Sequence, residues 1–104
     1  MEKRRPTYDL DAFKAAVPRI RVTVVATRTA AALGFGRAEI EATIQTMQQP
    51  QFYKSMTAYR DHRIWQDVYH VPSSVGTLYV KFTADAVTEF ALLSFKEKDD
   101  DEGR

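Results

Sequence analysis

The residues with most chemistry to offer crowd into one stretch, Phe52-Tyr53-Lys54-Ser55-Met56-Thr57-Ala58-Tyr59-Arg60-Asp61-His62-Arg63-Ile64-Trp65-Gln66-Asp67-Val68-Tyr69-His70. Lys54, Arg60 and Arg63 are interleaved there with Phe52, Tyr53, Tyr59, Trp65 and Tyr69. Cations that neutralise phosphates, set among rings on which bases stack, are what a single-stranded RNA surface requires. The same composition also fits an amphipathic strand with buried rings and solvated charges, and the stretch alone leaves both readings open. A second group follows at alternate positions of two β-patterned runs: Tyr79 and Lys81, then Ser94 and Lys96.

Several chemistries are excluded by what is missing. There is no P-loop, and Gly34-Phe35-Gly36 lacks the third glycine and the preceding strand of a dinucleotide fingerprint. No Gly-x-Ser-x-Gly elbow occurs, and without Cys there is no thiol nucleophile, disulfide or Cys-ligated zinc. His62 and His70 stand eight residues apart without a ligand pattern, so no metal or other cofactor is expected. Asp61 and Asp67 neighbour Arg60, His62 and Arg63, which suits structural ion pairs or turn caps better than paired-carboxylate hydrolysis. The segments 26–33 and 37–48 have a helix-turn-helix layout, but the second would offer Glu39 and Glu41 to DNA against Arg37 alone, the wrong charge for a recognition helix.

The elements that must position these groups follow from pattern. A chain of 104 residues, 44% hydrophobic and 28% charged, supports one domain with an ordinary core. Net charge is +1, but Asp99 to Arg104 holds four of the 14 acids and one of the 15 bases. The remaining body is basic, which suits a phosphate-backbone partner without requiring one. We expect one domain over 1–98 and a disordered acidic tail over 99–104. With no apolar leader and no run approaching a membrane span, a soluble cytoplasmic protein with no membrane partner is expected.

Leu10, Phe13 and Val17 give a helix over 7–17, closed by Pro18, and Ala26 to Leu33 reads as a second, after a β-branched run at 20–25. Ile40, Ile44 and Met47 give a third over 37–48. After Pro50 the period drops to two, and 63–71, 77–84 and 89–97 read as strands, with a loop at 71–76 and a tight link at 85–87. Helices first and strands later mean an α+β fold, N-terminal helices packed on one face of a C-terminal antiparallel sheet. Alternation sends Leu78, Val80 and Phe82 to the helices, together with Ala91, Leu93 and Phe95, and leaves Tyr79, Lys81, Ser94 and Lys96 on the other face. Gln66 fits either face, because Ile64, Val68 and Trp65, Tyr69 make both sides of its strand apolar.

Beyond these patterns, the words Phe52-Tyr53-Lys54-Ser55-Met56-Thr57, Tyr59, Asp61-His62, Ile64-Trp65-Gln66-Asp67-Val68-Tyr69 and Ser94-Phe95-Lys96-Glu97-Lys98 resemble the motility quorum-sensing regulator (MqsR) toxin family. The opening Met1-Glu2-Lys3-Arg4 and Pro6 are similar too, whereas 18–50 agree only in helical layout and in Leu33-Gly34. The resemblance implies a RelE-like fold and the toxin half of a type II toxin-antitoxin pair. It implies a ribosome-independent mRNA interferase that cuts single-stranded mRNA at GC-containing sites. The implied partner is an antitoxin with a zinc-binding region and a helix-turn-helix domain, through which any link to DNA is indirect.

Carried onto this sequence, the family's active-site residues fall on Lys54, Gln66, Tyr79 and Lys96. Such residues suit attack by the RNA 2′-OH on its own phosphate. Lys54 and Lys96 would stabilise phosphate charge, either serving as base if clustering lowered its pKa, Tyr79 would move a proton and Gln66 would position the chain. Tyr53, Arg60, Arg63, Lys81 and His70 are the expected RNA contacts, and His62 is the alternative acid or base by chemistry. Two features depart from the family: His70 replaces an arginine after Tyr69, and the acidic tail runs past the usual end. Without the resemblance, a non-catalytic RNA-binding domain or a protein-interaction module fits the same pattern.

Overall fold

The computed structural model describes residues 1–99. Its elements are β1 (Glu2–Lys3), α1 (Leu10–Ala16), β2 (Arg21–Val22), α2 (Val24–Ala32), α3 (Arg37–Thr46), β3 (Phe52–Thr57), β4 (Trp65–Ser73), β5 (Gly76–Asp85) and β6 (Glu89–Glu97). The strands form one sheet in the order β1-β3-β4-β5-β6-β2, antiparallel throughout except for β2 beside β6. The fold is therefore α+β as expected, with more strands than periodicity revealed. The acidic tail lies, from Asp100 onward, outside the described residues. No described helix is long and apolar enough to cross a membrane.

Local chemistry sets the helix boundaries. Asp9 caps α1 by accepting from the Asp11 N–H, so the helix starts at Leu10, the first residue of the apolar spacing, and not at the expected bound of 7. The β-branched run at 20–25 divides. Arg21 and Val22 pair with Ala91 and Leu92, and Thr23 then caps α2 by accepting from the Ala26 N–H. Gly34, at φ +87°, ends that helix as only glycine does without strain. Thr23 also donates to the Leu93 carbonyl, tying the cap to the sheet. Thr23→Ala should cost about 1–2 kcal/mol and lower the thermal midpoint by roughly 5–10 °C, measured by circular dichroism melting.

The helices share one face of the sheet. Phe13, Ala26, Ala30, Ile40, Ile44 and Met47 meet Tyr69, Val71, Leu78, Val80, Phe82, Phe90, Leu92 and Phe95 in one buried cluster. Phe13 stacks on Phe82 at 3.7 Å between centroids.

Three expectations change. Strand β3 was not legible, because a bulge between Phe52 and Lys54 breaks its alternation and its buried Ser55 carries no apolar signal. The loop expected at 71–76 is a hairpin with only Ser74 and Val75 outside the strands, and Gly76 at φ +112° closes it. Pro72 is tolerated there because β3 pairing ends at Tyr69, leaving this part of β4 an edge on that side. The core set of β6 is Phe90, Leu92 and Phe95, not Ala91, Leu93 and Phe95. A bulge at Leu93 pairs Lys81 with Ser94 but Phe82 with Leu92, shifting the phase by one residue.

Candidate nucleic-acid interface

The register assigns every strand residue to a face. Tyr69, Val80 and Phe95 lie in one row under the helices, so the next row, His70, Tyr79 and Lys96, faces the other way. On that second face Lys54, Val68, Lys81 and Ser94 form an adjacent row, and Met56, Gln66, Thr83 and Ala91 the one beyond. Tyr79, Lys81, Ser94 and Lys96 are thus on the face expected from alternation. Gln66, unassignable before, joins them through its pairing with Met56 and Thr83.

The bulge in β3 decides the next feature. A bulge lets consecutive side chains sit on one side of a strand, which regular pleating forbids. Tyr53 accordingly stacks on His70, with centroids 4.1 Å apart and planes within 24°, while the Lys54 ammonium lies 5.3 Å from the Tyr53 ring. His70 stands 6.1 Å from Tyr79, and the Lys96 ammonium lies 5.4 Å from the Tyr79 ring. An aromatic row crosses β3, β4 and β5, with a lysine close to each outer ring. Tyr79 is packed to 3% exposure, tighter than a face turned from the helices suggested.

Lys54 and Lys96 are three strands and one row apart, about 16 Å between backbones. They do not cluster; they stand at opposite ends of this face. Gln66 lies two rows from Tyr79 and diagonal to Lys54 across β3 and β4. Arg60, His62 and Arg63 are elsewhere, on the exposed connection between β3 and β4 beyond the Gln66 row. Asp61 holds the Arg63 guanidinium at 3.0 Å and also accepts its backbone N–H. Those bonds to Arg63 keep the Asp61 carboxyl below the usual carboxylate range and raise the arginine. Among the described residues no three His, Asp or Glu side chains converge as metal ligands.

Sequence reasoning missed two residues that reach this face, Glu2 and Arg4. Strand β1 pairs Glu2 with Met56, and the Glu2 carboxylate accepts from Lys54 Nζ at 3.1 Å. That hydrogen bond is the main reason its pKa falls below the ordinary value, with the Lys54 charge next. The Arg4 guanidinium lies 5.8 Å from the Tyr53 ring and donates to the Tyr53 carbonyl at 3.4 Å. The basic run Lys3-Arg4-Arg5 was the available signal, but two-residue strands have no readable periodicity. Asp67 was expected in an ion pair or a turn cap. It is buried on the helical face and instead accepts backbone N–H bonds from Thr7 and Tyr8 at 2.9–3.1 Å.

Comparison with known proteins agrees with the words in the sequence. A family model described as motility quorum-sensing regulator, toxin of MqsA, matches residues 5–97. The chain is 39% identical over 100 residues to the mRNA interferase toxin MqsR of Escherichia coli K12, an alignment that covers 94% of this chain and 100% of that protein.

Proposed function

The chain belongs to the motility quorum-sensing regulator toxin family, and on that premise we propose that it is the toxin of a toxin-antitoxin pair, an endoribonuclease that cuts single-stranded mRNA at GC-containing sites. The observation that carries the reading is the union of Tyr53, His70, Tyr79 and Lys96 in one row, with Lys54 and Lys81 in the next. The rings supply stacking surface and the lysines bind phosphates, the two demands of single-stranded RNA.

RNA carries its own nucleophile. The 2′-OH loses its proton and attacks the adjacent phosphorus, the bond to the 5′-oxygen breaks, and that oxygen takes up a proton. The products are a 2′,3′-cyclic phosphate and a 5′-hydroxyl. The enzyme must move protons and stabilise charge on the five-coordinate phosphate. We assign Lys96 and Lys54 to that charge, approaching from opposite ends of the face. Tyr79 moves a proton, and its tight packing holds the ring in one orientation. Gln66 positions the chain beside Lys54 with an amide that both donates and accepts. Tyr53, His70 and Lys81 line the path. Arg60 and Arg63 contact RNA only where it leaves the face at the β3–β4 connection, and His62 there is too far from Tyr79 and Lys96 to share their phosphate. The partner that silences the toxin is an antitoxin of the MqsA kind, with the zinc-binding region and helix-turn-helix domain that the family resemblance implies.

The test uses purified protein, EDTA and no ribosomes, with a single-stranded RNA bearing several GC steps and a copy 2′-deoxy at those steps. The ribose substrate should be cut to cyclic phosphate ends, and the substituted copy left intact at the substituted steps. Binding of both without cleavage would replace this reading with a non-catalytic RNA-binding module. Equal cleavage of both would exclude the 2′-OH as nucleophile.

A further inference from the structure

We infer that the N-terminal arm is a working part of the RNA face: Arg4 contacts the phosphate backbone beside the Tyr53–His70 stack, and the Glu2 carboxylate occupies a phosphate position at Lys54 until RNA displaces it. The inference deepens the RNA-cleaving reading and rests on it.

The arm alternates like a strand. Glu2 and Arg4 reach the RNA face, while Lys3 turns to the other side, its ammonium 4.2 Å from the Trp65 ring. It is fixed by pairing with β3, by Asp67 holding the Thr7 and Tyr8 N–H groups, and by a 2.8 Å hydroxyl contact between Thr7 and Ser55. This anchoring places one cation and one anion at the β1 edge of the face. Arg4 is exposed and carries a planar donor fork beside an aromatic ring, a combination suited to a phosphate adjoining a stacked base. Glu2 accepts from Lys54 the hydrogen bond that a phosphate oxygen would accept. Its side chain is 51% exposed against 18% for Lys54, so water and salt weaken the pair from the Glu2 side, the side from which a phosphate takes its place. The charged groups facing Glu2 are Lys54, Arg4 and the N-terminal amino group, all of which favour its anionic form.

The experiment measures binding of the full chain to the 2′-deoxy-substituted RNA, which separates affinity from cleavage, across a salt series. Arg4→Ala should raise Kd about 5-fold and reduce the salt slope by roughly 0.7, the loss of one phosphate contact on a single strand. Glu2→Gln should lower Kd about 3-fold. The opposite signs are the diagnostic: an arm that merely packs would, once loosened, move both variants the same way. Variants that match the wild type, or that shift together, overturn the inference while the wild type still binds and cleaves. Wild-type protein without salt-dependent RNA affinity overturns the functional reading, and this inference with it.

Discussion

Replacing Lys96 with alanine is expected to lower kcat/KM for RNA cleavage by about 1,000-fold while the circular dichroism spectrum stays native. In the proposed mechanism the phosphate charge assigned to Lys96 grows as the 2′-oxygen attacks, so its loss raises the barrier more than it weakens substrate binding. The effect should accordingly fall on kcat, with KM changed only a few-fold. The side chain lies over Tyr79 on the face opposite the helices and is not part of the buried cluster. Stability should fall by no more than about 1 kcal/mol, the scale of a lost contact with the Tyr79 ring. Cleavage rates on a GC-containing RNA, with thermal melts of the same preparations, make the check. Activity within a few-fold of the wild type would remove Lys96 from the site.

The largest stability effect outside the apolar core is expected at Asp67. Its carboxylate is buried and receives the N–H groups of Thr7 and Tyr8, the latter at 2.9 Å. Asp67→Ala strips both donors of their partner. Hydrogen bonds to a charged acceptor and the penalty for orphaned donors together put the loss at about 3 kcal/mol. For a domain of this size that is about 15 °C in thermal midpoint. Asp67→Asn should lose less, because one oxygen remains to accept while the amide NH2 opposes the second donor. Hydrogen exchange at the Thr7 and Tyr8 amides gives the local readout: both should lose protection in the alanine variant before the helices do. A midpoint within about 2 °C of the wild type, with those amides still protected, would show that the arm is held by other contacts. Because the arm carries Glu2 and Arg4, Asp67→Ala should also weaken RNA binding from the helical side of the sheet, without touching RNA.

Much of the candidate face was legible because strand alternation is short-range physics. Tyr79 and Lys81 lie opposite Leu78, Val80 and Phe82 for the simple reason that adjacent side chains point to opposite sides. Ser94 and Lys96 fell on the expected face as well, since both follow the Leu93 bulge and keep phase with Phe95. Phe90 and Leu92 precede it, and there the expected set inverted. An inserted residue alters no local preference. It appears only when the partner strand supplies the register, as Phe82 does by pairing with Leu92.

The sequence by itself determined the α+β class, the presence and order of the three helices, the basic and aromatic character of the chain and, through its motif words, the family. Each depends on residue types at fixed local spacing. Tertiary structure alone decided which side of the sheet Gln66 joins, that Tyr53 stacks on His70, that Lys54 and Lys96 stand at opposite ends of the face, and that Glu2 and Arg4 reach it. The physical reason is the same in each case. These relations are set by pairing between strands distant in the chain and by a buried carboxylate about 60 residues from the amides it holds, and no local propensity records either.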